Sequence, residues 1–117
     1  MMRYSFLLLA MLAVPAAAAD GVHTVFHLHW NQCEFTEGAG TLRVTEGDMV
    51  TLHLHADTEV ELHLHGYDDT ITVPANGETK HHFTADIPGR FPVAIHSGCG
   101  DDDHGHRTAF YLEVIPE

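Results

Sequence analysis

Beyond residue 20 the chain alternates. In VTLHLHA, Val50, Leu52 and Leu54 share one face of an extended strand, while Thr51, His53 and His55 share the other. VELHLHG repeats the pattern, with Val60, Leu62 and Leu64 opposing Glu61, His63 and His65. VFHLHW repeats it again, with Phe26, Leu28 and Trp30 opposing Val25, His27 and His29. Period-two segments of this kind are spaced about every ten residues. They predict strands over 23–30, 41–45, 49–56, 60–65, 70–74, 79–85, 91–96 and 108–115. TEGAG, EGD, ADTE, GYDD, PANGE, DIPGR and SGCGDDDHG supply the breaks. No stretch carries a helical period. Many short strands with regular turns imply an all-β fold, an antiparallel sandwich or small barrel of about 7–8 strands.

The same alternation locates the chemistry. His-Leu-His occurs three times, at 27–29, 53–55 and 63–65. Side chains at i and i+2 of a strand point the same way, roughly 6.5–7 Å apart. Two imidazoles at that spacing can converge on one ion, with metal–nitrogen bonds of about 2 Å. A face meant only to be polar is better served by threonine, lysine or glutamate.

The first residues change the picture of where the chain works. Arg3, the apolar run Phe6 to Val14 and Ala17-Ala18-Ala19 have the three-part form of a secretory signal peptide. The expectation is a leader over 1–19, cleavage after Ala19, and one exported domain over 20–117, with no membrane anchor left. The formal charge of −12, from 5 basic and 17 acidic residues, excludes a basic nucleic-acid patch and favours cations. The chain has 12 histidines, all beyond the leader. Its two cysteines, Cys33 and Cys99, allow a disulfide in an oxidising compartment or a thiolate ligand at Cys99. GxSxG, Cys-x-x-Cys and a glycine-rich phosphate loop are absent, so no enzyme is expected.

From residue 40 to 117 the chain resembles the cupredoxins, the copper-binding β-sandwich family. The resemblance is carried by LRVTEGDMVTLHL, VELHLHGYD, FTADIPGRFPVAIH and the closing FYLEVIP. HLHGYD followed by GRFPVAIH is similar to a group of exported bacterial cupredoxin-like proteins. The resemblance implies a Greek-key β-sandwich. It does not imply electron transfer. A blue copper centre needs a cysteine six residues after the glycine of its penultimate strand, then a histidine and usually a methionine. Here Ile95 stands at that place, before His96, and no methionine follows Met49.

Two candidate sites follow from the strand order the resemblance implies. One lies at the end where the family holds copper. It joins His63 and His65 to His96, Cys99, His104 and His106, with Asp101 to Asp103 adding negative field and Tyr67 and Asp68 orienting an imidazole. The other is the outer face of strands 23–30, 49–56 and 79–85, carrying His27, His29, His53, His55 and His82. The first ranks higher. His23 is set aside, because an amino-terminal copper motif needs histidine third and cleavage after Ala19 puts it fourth. Histidine with carboxylate suits copper(II) ahead of copper(I), and zinc as the alternative. The expected function is periplasmic copper sequestration, delivery or tolerance, with an exported copper-handling protein as partner. The competing readings are a redox-active copper carrier using Cys99, and a metal-free partner-binding domain.

Overall fold

The computed structural model describes residues 21–36, 40–99 and 107–117; the segment 1–19 expected to be a leader and the loop residues His104 and His106 lie outside them. Among the described residues there are nine strands and no helix. They are β1 (His23–Asn31), β2 (Glu34–Thr36), β3 (Thr41–Thr45), β4 (Met49–Ala56), β5 (Val60–Leu64), β6 (Asp69–Val73), β7 (Gly77–Thr84), β8 (Gly89–Gly98) and β9 (Arg107–Ile115). One sheet has the order β2-β1-β4-β7 and the other β3-β9-β8-β5-β6. The apolar halves of the alternating strands meet between the sheets. Leu28, Trp30, Leu52, Leu54, Leu62, Leu64, Val93 and Phe110 are fully buried there. Each such side chain contributes about 1.5–3 kcal/mol relative to an exposed one.

The sandwich is not wholly antiparallel. β1 pairs with β4 in parallel, and β3 with β9 likewise. The chain leaves the first sheet after β2, contributes β3 to the second, and returns as β4. That crossover brings β4 back beside β1 in the same direction. β2, which sequence reasoning missed, closes a two-residue hairpin on β1 through Gln32 and Cys33. Both turn residues have positive φ, 51° and 65°, as a turn matching strand twist requires. Two restraints hold this non-glycine turn. The Gln32 amide donates to the Asp57 carboxylate at 3.1 Å, and Cys33 is bonded to Cys99.

That disulfide joins the β1–β2 turn to the residue after β8, and so ties one sheet to the other. It closes a loop of 66 residues, which in the chain-entropy model stabilises the fold by about 4 kcal/mol. A second tie is Tyr67. Its hydroxyl donates to the Ile87 carbonyl at 2.9 Å and accepts from the Ile87 amide at 3.0 Å. Burial raises the Tyr67 pKa, so the phenol stays protonated. Tyr67 is therefore a clamp on the 86–88 loop and not an orienting partner for an imidazole.

Candidate metal centre

The parallel pairing of β1 on β4 sets the site. Register places His27 beside His53 and His29 beside His55. Two His-Leu-His tripeptides thus form a two-by-two imidazole array on the outer face. The His27 and His53 ring centroids are 5.0 Å apart, and the His29 and His55 rings stack at 4.8 Å and 11°. Along β4, His53 and His55 lie 4.4 Å apart. Leu28, Leu52 and Leu54 between them are buried, which fixes the outward direction of every ring.

His27, His53 and His55 each offer a donor atom within 4.8 Å of the other two. Donors bound at about 2 Å to one ion sit no more than about 4 Å apart. The rings therefore have to close by under about 1 Å, which small side-chain rotations supply. β7 adds Glu78, opposite His55 in register. Its carboxylate accepts from His53 Nε2 at 3.0 Å and lies 3.6 Å from His55 Nδ1. An ionised carboxylate has only lone pairs, so neutral His53 carries its proton on Nε2 and presents the Nδ1 lone pair. The hydrogen bond and charge of His53 hold the Glu78 pKa below its usual value. The His55 pKa is also lowered, first by desolvation and then by the neighbouring His53 and His29, against the pull of Glu78. Both shifts favour the state a metal needs: neutral imidazole and ionised carboxylate. A cleft of about 540 Å³, lined in part by His29, His55, Asn31, Asp57 and Asn76, opens at the end of the array. The Asp57 carboxyl is held below its ordinary pKa by the Gln32 amide, which adds a fixed negative charge at that mouth.

The higher-ranked sequence candidate is assembled differently. β5 and β8 are neighbours, as expected, and His63 faces Ala94 across them. His63 lies 4.5 Å from His65 and 6.4 Å from His96, between ring centroids. His63 pairs with Asp68 at 3.2 Å and His96 with Glu61 at 3.5 Å. Asp68 thus does orient an imidazole. Cys99, read as a candidate ligand, is bonded to Cys33 and presents no thiolate. His104 and His106 fall outside the described residues. Among the described residues, the one group of histidine, cysteine or carboxylate donors that converges is His27, His53 and His55. The adjacent His81 and His82 are split by the pleat. His82 faces out with the array, while His81 Nε2 reaches Asp69 of β6 at 3.0 Å. A blue copper centre does not fit this chain, since Ile95 packs against the core where the thiolate would stand.

No protein-family model matches the chain, and no curated protein sequence matches it. Solved structures do. The copper nitrite reductase of Nitrosomonas europaea superposes over 81% of this chain and 42% of its own, with TM-score 0.60 and 21% identity. A multicopper oxidase of Pseudomonas thermotolerans superposes over 82% and 30%, with TM-score 0.63 and 16% identity. The metal-binding domain of the Cu(I)-exporting P-type ATPase of Streptococcus pneumoniae is nearer in size, with 80% and 86% covered, TM-score 0.59 and 13% identity. The chain spans less than half the length of the reductase and oxidase chains. At these identities the likeness shows the fold, a cupredoxin-like β-sandwich.

Proposed function

We propose that this is an exported copper-binding protein that takes up copper(II) on His27, His53 and His55, with Glu78 orienting the imidazoles. The observation that carries the reading is the convergence of three donors from two strands paired in parallel register. A nitrogen-rich set with a carboxylate suits copper(II) or zinc, and the Irving–Williams order favours copper. The acidic surface draws cations towards it. The Cys33–Cys99 disulfide supports work in an oxidising compartment, in keeping with the leader expected from the sequence of residues 1–19. The role is sequestration or delivery without catalysis: the site is a surface array, and metal is its cargo. The metal-binding domain of the pneumococcal Cu(I) exporter, similar in size and fold, supports copper binding as such; copper(II) rests on the nitrogen and carboxylate donors of this chain.

The test is equilibrium dialysis of the purified protein against copper(II) and against zinc(II). Micromolar or tighter uptake of copper, weakened at least about 100-fold by His53→Ala, is expected. Failure to take up either metal at micromolar levels overturns the reading. Preference for zinc keeps the site and replaces the cargo.

A further inference from the structure

The Cys33–Cys99 disulfide lies at the surface. Both half-cystines are exposed, and both have positive φ, 65° and 60°. Side chains with a Cβ adopt that conformation at a cost, and residues held in it gather at functional sites. The segments that the disulfide joins are also held together without it. The Gln32 amide donates to the Asp57 carboxylate at 3.1 Å, and the Asp57 amide donates to the Trp30 carbonyl at 3.1 Å. The Arg107 guanidinium, from β9 beside β8, donates to the Cys33 carbonyl at 2.9 Å. Phe35 of β2 packs on Trp30 of β1 and on Phe110 of β9, and so bridges the two sheets. Next to Cys99, Gly98 pairs with Val60, and Thr58 Oγ1 lies 3.8 Å from Cys99 Sγ. Trp30 Nε1 donates to the same hydroxyl at 3.2 Å. Opening the disulfide therefore leaves two sulfurs side by side.

We infer that reduction of Cys33–Cys99 creates a copper(I) site of two thiolates. The donors converge by construction: atoms that were bonded need only part until one ion fits between them. Two metal–sulfur bonds of about 2.3 Å hold the sulfurs no more than about 4.6 Å apart. The Cα atoms are 5.7 Å apart, and rotation about the two Cα–Cβ bonds reaches that sulfur separation. A pair of thiolates is a soft set, which selects copper(I) over hard cations. Arg107, one of 5 basic residues in the chain, stands beside Cys33 and favours the thiolate form. The reductant is a dithiol protein. One of its thiolates attacks a sulfur of the disulfide, its second thiol resolves the mixed disulfide, and it leaves oxidised to a disulfide of its own. Cys33 and Cys99 gain the two electrons and two protons. Copper(I) then displaces those protons and keeps its oxidation state. The site shares no ligand with the copper(II) triad and opens only when a thiol partner has acted.

The test is run without oxygen. Dithiothreitol, a small dithiol, is expected to open the disulfide in the folded protein, counted by alkylation as a gain of two thiols, with the β-sheet circular dichroism kept. After removal of the reductant, the reduced protein is expected to withdraw one equivalent of copper(I) from a chromogenic chelator. X-ray absorption at the copper edge is expected to show two sulfur neighbours, which the oxidised protein does not give. Asp57→Ala frees the Gln32–Cys33 turn and is expected to weaken copper(I) binding by the reduced protein about tenfold; an unfolded chain wrapping copper with two cysteines would not register that change. His53→Ala is expected to leave copper(I) uptake by the reduced protein unchanged, so the result stands or falls apart from the copper(II) triad. A disulfide that dithiothreitol leaves closed, loss of the β-sheet signal on reduction, copper(I) without two sulfur neighbours, equal copper(I) affinity in Asp57→Ala, or lost uptake in His53→Ala each overturns the site.

Discussion

The tripeptide at 53–55 and the tripeptide at 63–65 are identical in sequence and unlike in surroundings. On β4, His53 and His55 lie beside a second His-Leu-His in parallel register and face Glu78 on the third strand. On β5, His63 lies between Ala94 of β8 and Thr70 of β6, neither of which is a ligand. Its nearest help comes from the hairpin carboxylate Asp68 and, at greater distance, His96. Spacing along one strand supplies two imidazoles on one side, but the neighbouring strand decides whether a third donor meets them. Register, more than motif, makes the difference between a converging set and a row of paired histidines.

The comparison can be pressed in several ways. The largest effect is on stability. Cys33→Ser with Cys99→Ser is expected to lower unfolding free energy by about 4 kcal/mol, measured by denaturant titration. Because the triad lies on strands whose pairing does not pass through the disulfide, copper(II) affinity of the folded variant stays the same. A fall in affinity matching the fall in stability would make Cys99 part of the site after all.

Acidification is next. The His55 and Glu78 pKa values are both lowered in the folded protein, so each contributes stability that is present above its unfolded value and lost as pH falls. For His55 that loss begins as pH drops below 6.5, its unperturbed value, and for Glu78 below 4.5. The metal-free protein should therefore melt at a lower temperature at pH 5 than at pH 7.5, with His55→Asn reducing the difference. Copper should leave over the same acid range, by up to about tenfold in affinity per pH unit for each ligand that protonates.

Glu78→Gln is a smaller change. It removes the acceptor charge that fixes the His53 tautomer, and about a tenfold loss of copper(II) affinity is expected in calorimetry. Asp68→Asn makes the equivalent change beside His63 and should leave affinity within about twofold, as expected for a site that shares no partner with the triad. Equal losses from the two variants would erase the distinction between the two tripeptides.

Much of this was legible in the chain. Period-two alternation located eight of the nine strands now seen among the described residues, because buried leucine and valine leave a clear signature when one face is wet. β2 escaped, since Glu34, Phe35 and Thr36 are too few to show a period. The outer-face histidines of β1, β4 and β7 were also legible, including His82. Their rank was not. Preferring the 63–65 end followed the place where similar folds hold copper, whereas the convergence of His27 on His53 depends on a parallel register that no local pattern reports. Glu78 was missed for the same reason, although its alternation with Lys80 and His82 put it on the histidine face.

The central claim is that one copper(II) ion binds first at His27, His53 and His55. Electron paramagnetic resonance at one equivalent of copper(II) tests it most directly, using the wild type, His53→Ala and His63→Ala. The account predicts nitrogen hyperfine structure from coordinated imidazoles in the wild type, the same spectrum in His63→Ala, and loss of that spectrum in His53→Ala. An unchanged spectrum in His53→Ala, with the signal lost in His63→Ala, would contradict it and move the copper to β5.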